Sequence, residues 1–353
     1  MFSLKKKLKK NKNLYLMAKW FYFKLIEIRA LPKYIFADKI VLNGRNKNKQ
    51  KYLIFRFEGM SGLMTQMICV LGWLRYALSN QFTLVVDMTS EENIYSDGTI
   101  NSWERFYLQP MCNSSMGVRQ IEEIKQTASF AICPKLVRHN LRYDWKYRNI
   151  SKIIKPTITF PLPRDYKNRP ELHREFSELY AKYIRYQPNI YEYINREYTE
   201  LLGGKGCILG VLVRGTDYVQ SKPFMHPIQP NIEQVFELID KMKETYNWDY
   251  IYLATEELNV SLLLNKRYPG KVIENKRSYY DGDYSHRWLY SILKESDDKA
   301  YISGLEYLSS IYILSKCDLL SGGLCGGTQA ALIMNGGKYK AIELFDSGDY
   351  GSS

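Results

Sequence analysis

Histidine is scarce in this chain of 353 residues, and its cysteines form no pattern. There are four scattered histidines, and the six cysteines (69, 112, 133, 207, 317, 325) include no Cys-x-x-Cys pair. These absences exclude the usual zinc spacings and a thioredoxin-like motif. Several cysteines lie in apolar runs, where a free thiol acts as a small hydrophobe. A reduced, cytoplasmic protein is the expectation. The glycine-rich stretch Gly203-Gly204-Lys205-Gly206 has no Lys-Ser or Lys-Thr in the frame that a phosphate loop requires. A long uncharged apolar run is also missing. The stretch Leu14 to Ile28 is rich in aromatic and aliphatic residues but contains Lys19, Lys24 and Glu27, and a bilayer span needs about 20 apolar residues. Those interior charges, with no small-residue cleavage site, argue against a secretory signal.

Charge of one sign is abundant, but it is confined. The net charge is +13, and residues 1–50 hold fourteen Lys/Arg against two acids, Glu27 and Asp38. The body is therefore almost neutral, and no nucleic-acid partner is expected for it. Two readings of the arm stay open. It lies on an anionic membrane surface as a helix, or it packs as an amphipathic helix behind a disordered basic tail.

Past the arm the pattern is that of an α/β protein. Residues 52–57 read as a buried strand, 58–62 as a glycine loop, 63–78 as a largely buried helix and 83–87 as a second strand. No element is assigned between 90 and 165. Helices follow at 171–186 and 190–202, and the glycines at 203–206 mark a domain break. Strands at 207–214, 250–255, 271–274, 318–321 and 340–345 then alternate with helices at 231–246, 258–267, 303–316 and 328–335. This predicts a basic arm (1–50) followed by two α/β domains (51–203 and 204–353). Two Rossmann-like domains facing a cleft suit a ligand bound between them.

The chemistry concentrates at strand ends. An apolar run delivers Arg214 into Gly215-Thr216-Asp217, with His226-Pro227-Ile228 soon after. A guanidinium there offers a rigid fork to a phosphate, and glycine lets a ligand approach the backbone. Asp217 is read as orienting Arg214, with helix capping and base chemistry as alternatives. His226 contacts ligand or fills a turn. Cys325-Gly326-Gly327-Thr328 joins a strand to a helix, whose first N–H groups form an anion site. Glu58-Gly59-Met60-Ser61-Gly62 lines the opposite cleft wall or is a plain turn. Asp281-Gly282-Asp283 has the look of a metal-binding pair, but Asp-Gly among tyrosines reads better as a surface turn. No metal is assigned.

Gly210 to Asp217 followed by His226-Pro227-Ile228 resembles the first motif of the α-1,6-fucosyltransferases, within the wider superfamily that includes protein O-fucosyltransferases and bacterial α-1,2-fucosyltransferases. Ile251-Tyr252-Leu253-Ala254-Thr255-Glu256-Glu257 resembles the strand ending in an acidic pair, and Leu314 to Leu320 the third motif. The loop at 58–62 is similar to the N-terminal loop of that group. The resemblance covers residues 205–335 best. It implies a two-domain GT-B-like fold, GDP-fucose as donor, inversion at the anomeric carbon and no metal or other cofactor. It implies that Arg214 contacts the β-phosphate, that Glu256 and Glu257 lie near the nucleotide, and that Gly326 stands where a small hydroxylic residue is usual. Three departures separate this chain from the α-1,6 group. Gly215 and Leu212 replace an arginine and a histidine. Lys222 stands at the position of the proposed base. Ser310 stands near the position of an aspartate, with Glu306 one turn earlier on the same helix face.

The expectation is an inverting glycosyltransferase that moves fucose to a glycan acceptor in bacterial surface polysaccharide synthesis, held peripherally at the inner face of the membrane. Asp217 and Glu58 are the candidate bases. Alternatives are transfer from another nucleotide sugar, or binding of a nucleotide sugar or glycan without catalysis.

Overall fold

The computed structural model describes residues 39–41, 51–57, 61–112, 114–127, 130–133, 161, 164–223, 226–280, 282 and 289–351. Its strands are β1 (Lys39–Val41), β2 (Lys51–Arg56), β3 (Thr83–Asp87), β4 (Phe130–Cys133), β5 (Ile208–Val213), β6 (Tyr250–Thr255), β7 (Val272–Ile273), β8 (Leu319–Gly323) and β9 (Ala341–Phe345). Its helices are α1 (Leu63–Ser79), α2 (Gly117–Thr127), α3 (Asp165–Asn168), α4 (Pro170–Tyr183), α5 (Pro188–Leu202), α6 (Thr216–Ser221), α7 (Ile232–Tyr246), α8 (Leu258–Arg267), α9 (Leu289–Leu293), α10 (Asp297–Leu314) and α11 (Gly326–Asn335). A short 3-10 helix spans Ser102–Arg105. None of these helices is long and apolar enough to cross a membrane.

The strands form two sheets, as the alternation of apolar runs predicts. The first has the order β1-β4-β2-β3, with β2 parallel to both neighbours and β1 antiparallel to β4. β1 lies inside the stretch read from sequence as the arm, so part of that stretch belongs to the sheet. The outer strand β3 is sealed by side chains. Gln109 accepts from Val86 N–H at 2.8 Å and donates to its C=O at 2.9 Å. Asn101 donates to the same carbonyl at 2.8 Å and accepts from Met88 N–H at 3.0 Å. A sheet edge with satisfied backbone groups is a poor template for pairing with another chain.

The second sheet is all parallel, in the order β7-β6-β5-β8-β9. β5 is central and every residue in it is buried, as expected for a parallel strand covered on both faces. The chain winds outward through β6 and β7, then returns to place β8 and β9 on the other side of β5. The strand order reverses between β5 and β8, and ligands of open α/β sheets bind at that switch point, beyond the carboxyl ends of the strands.

One apolar core joins the two halves. It runs from Leu53, Met64 and Leu71 through Phe176 and Ile194 to Ile311, Ala330 and Ile333. α4 packs against both α1 and α11, and α5 packs against α10. Polar ties reinforce this. Arg105 pairs with Asp297 and lies 4.7 Å over Tyr301, on which Phe106 stacks at 5.6 Å. Arg164 pairs with Asp346 at 2.7 Å and Asp349 at 3.0 Å, which holds the Asp346 carboxyl below its ordinary range.

Candidate functional site

The site is built around the switch point. β5 ends at Val213, so Arg214 emerges at the carboxyl edge of the central strand. β8 ends at Gly323, and α11 starts three residues later, at Gly326. The two features singled out in the sequence therefore stand on the two strands that flank the crevice. Glu256 follows β6, because the parallel register of β5 and β6 pairs Val213 with Thr255 and sets the next residues side by side.

Glu256 holds Arg214. Its Oε1 accepts from Arg214 Nη1 at 2.9 Å and from Gly215 N–H at 3.3 Å. The Arg214 guanidinium also lies 4.9 Å from the Tyr218 ring centre, and His226 meets that ring edge-on at 5.0 Å. The Glu256 side chain is 9% exposed and that of Arg214 is 24% exposed. The carboxylate is thus buried, while the guanidinium keeps part of its surface exposed. Among the described side chains, Glu256 orients Arg214. The side chains of Asp217 and Thr216 lie outside the described residues, as do Glu58 and Gly59; the backbone of residues 216 and 217 forms the first turn of α6.

Two helix starts approach each other here, Gly326 of α11 lying close to Thr65 of α1. α11 starts at Gly326-Gly327 with Cys325 as its N-cap residue, and it has no side-chain cap and no acid in its first turn. α1 starts after Gly62, with no N-cap side chain and no first-turn acid, its Leu63 N–H being taken by a tyrosine hydroxyl. Uncapped N–H groups and the positive end of the helix dipole favour an anion. The Ser61 loop ahead of α1 is pinned from inside. Ser61 C=O accepts from Gln66 Nε2 at 2.8 Å, and the buried Gln66 exchanges hydrogen bonds with Asn93 at 3.3 and 3.2 Å.

Two tyrosines that the sequence did not single out complete the wall. Tyr95 Oη accepts from Leu63 N–H at 3.3 Å. Burial pushes the Tyr95 hydroxyl up to about 12, opposed by that hydrogen bond and by the Arg214 charge. Burial also raises Tyr307 well above the ordinary tyrosine value, with Cys325 adding and Arg214 opposing. Both keep their protons at neutral pH. Neither stands out among 30 tyrosines in the sequence, since only the tertiary fold brings them to Arg214.

Other expected residues face elsewhere or stand one step back. Thr328 is buried, and its hydroxyl donates to Gly323 C=O at 2.6 Å, with Cys325 Sγ at 3.5 Å. Glu306 accepts from Ser278 N–H at 2.9 Å and from its hydroxyl at 3.2 Å, so it fixes the loop after β7. That loop runs along the end of β6, with Tyr280 N–H donating to Glu256 C=O at 2.9 Å. Glu257 leans over Gly215, and a Cβ built there would lie 1.6 Å from its Oε2. Among the described residues there is no cluster of metal-ligating side chains; Asp281 and Asp283 lie outside them.

No protein-family model matches the chain, and neither does any curated protein. Among solved structures, the chain is similar to the fucosyltransferase NodZ from Bradyrhizobium, with 17% identity and a TM-score of 0.49 over 80% of this chain and 92% of that one. It is also similar to a mutant of Arabidopsis thaliana FUT1 in complex with GDP, with 13% identity and a TM-score of 0.49 over 93% and 79% of the two chains. A third likeness is to POFUT1 in complex with GDP-fucose, with 13% identity and a TM-score of 0.44 over 85% and 98%.

Proposed function

We propose that the protein is an inverting glycosyltransferase that uses a GDP-sugar, with fucose as the sugar and a glycan of a bacterial surface polysaccharide as the acceptor. The observation that carries this reading is Arg214, held by Glu256 at the end of β5, next to the strand β8 that leads into the uncapped start of α11. The sequence motifs that resemble fucosyltransferases supply the nucleotide and the sugar.

The chemistry follows from charge. The acceptor hydroxyl attacks the anomeric carbon as the bond from that carbon to the diphosphate oxygen breaks. The bonding electrons go to the diphosphate, and the hydroxyl proton goes to a carboxylate. Asp217 and Glu58 are the candidates for that base, whose help is typically worth about a hundredfold or more. Arg214 and the N–H groups at 326–328 stabilise the growing negative charge.

Titration calorimetry tests the nucleotide. GDP is expected to bind more tightly than UDP and to do so equally well in EDTA. UDP binding that needs magnesium or manganese would overturn this and redirect attention to Asp281 and Asp283. A non-catalytic nucleotide-sugar binder would bind GDP-fucose yet release no GDP with any acceptor.

The basic arm places the enzyme at the inner face of the membrane. Each basic residue near an anionic surface contributes about 1 kcal/mol, and salt screens the attraction over about 10 Å at 0.1 M. The full chain is expected to float with anionic liposomes at low salt and to be largely released at high salt. A chain beginning at Lys39, which loses most of the basic residues but keeps β1, should stay behind. Equal flotation of the two would sink the assignment.

A further inference from the structure

The first turn of α11 offers backbone to the cleft but no hydroxyl of its own. Residues 326 and 327 are glycines, and Thr328 commits its O–H to Gly323 C=O. The space that a side chain at 326 would occupy is already filled from the other half of the molecule. A Cβ built on Gly326 would lie 2.9 Å from Thr65 Oγ1, in the first turn of α1. At the next residue a Cβ on Gly327 would lie 3.0 Å from Tyr307 Oη, and a Cβ on Gly62 would lie 3.9 Å from Cε1 of the same ring. Thr65 and Tyr307 thus stand between the starts of the two helices. Both are partly exposed, and among the described residues neither hydroxyl makes a hydrogen bond.

Resting on the reading of this cleft as a diphosphate site, we propose that Thr65 and Tyr307 are its hydroxyl donors. They bond the phosphate oxygens that Arg214 and the N–H groups of Gly326 and Gly327 also hold. Thr65 belongs to α1 and Gly326 to α11, so the diphosphate is gripped by both halves. The glycines at 326 and 327 make room for donors supplied from outside their own helix.

The arrangement predicts an exchange of hydroxyls between positions 65 and 326. With the full chain and GDP as titrant, Thr65→Val, which keeps the shape and loses the O–H, is expected to weaken binding about tenfold or more, as a lost hydrogen bond to a charged group does. Thr65→Ser should stay within about threefold of the parent, because the donor survives. Gly326→Ser alone should weaken binding, because its Cβ presses on the threonine hydroxyl. In Thr65→Ala/Gly326→Ser the serine returns a hydroxyl to the vacated space, and most of the affinity lost in Thr65→Ala should come back. Tyr307→Phe should lose affinity for GDP and none for guanosine. Guanosine reports a loss of fold, since it carries no phosphate. The inference is overturned if Thr65→Val binds GDP as the parent does, if the double variant is no better than Thr65→Ala, or if guanosine affinity falls in step with that of GDP. A parent chain that binds no GDP would remove the diphosphate reading and this inference together.

Discussion

Arg214→Ala is expected to lower donor turnover at least about a hundredfold, the usual cost of removing one preorganised donor to a developing anion. The circular dichroism spectrum should not change, because the residue stands at the end of β5 and outside the apolar core. Arg214→Lys should restore little. A lysine ammonium has no planar fork, so it cannot reach Glu256 with one arm and a phosphate with another. It also loses the guanidinium's contact with Tyr218, whose ring centre lies 4.9 Å away. Steady-state release of GDP from GDP-fucose, measured beside a thermal melt, separates lost chemistry from lost folding. An alanine variant that keeps more than about a tenth of the parental rate would remove Arg214 from the centre of the mechanism.

Gly322→Ala should be the most damaging small substitution in the second sheet. Gly322 has φ +143, and a Cβ there would lie 2.2 Å from Leu212 C=O. That oxygen is backbone of the paired strand, since Leu212 and Gly322 are partners in the β5–β8 register, so it cannot swing aside as a side chain can. A strained φ costs about 1–3 kcal/mol and overpacking about as much again. A loss of about 3 kcal/mol or more in urea unfolding is expected. Gly336→Ala serves as the comparison. It has φ +66 with nothing within 4 Å of the built Cβ, so only the left-handed conformation is charged against it, at about 1–2 kcal/mol. Equal midpoints for the two variants would mean that β5 and β8 do not meet as described. The same clash would spread the strands that carry Arg214 and the 323–327 turn, so activity should fall with stability.

Much of the second sheet is legible in the sequence, because β5, β6 and β8 are apolar runs with abrupt ends. Arg214, Gly215 and Glu256 terminate such runs, which is why the edge of the site shows in the residue pattern alone. The pairing of Arg214 with Glu256 does not. It spans 42 residues and follows only once β5 and β6 are known to be parallel and in register. Other elements are hidden for local reasons. α10 begins at Asp297 with Ser296 accepting from Lys299 N–H at 3.2 Å, yet its first turn is too charged to show apolar periodicity, so the sequence places the start near 303. α6 follows Gly215 directly and reads as a turn because it is only six residues long. β1 and β4 are three and four residues long, too short for alternation to register. Thr65, Tyr95 and Tyr307 carry no pattern at all, since three separate segments bring them to one point.

The packing of α4 and α5 bears on how this protein could be recombined with others. The glycines at 203–206 look like the natural seam, yet α5 lies on α10 and α4 on α11. A chimera joined at Gly204 would set a foreign pair of helices against Ile311, Ala330 and Ile333, which this chain covers from its own first half. An exchangeable unit therefore has to carry α4 and α5 with the second sheet, and its seam lies upstream of the glycines.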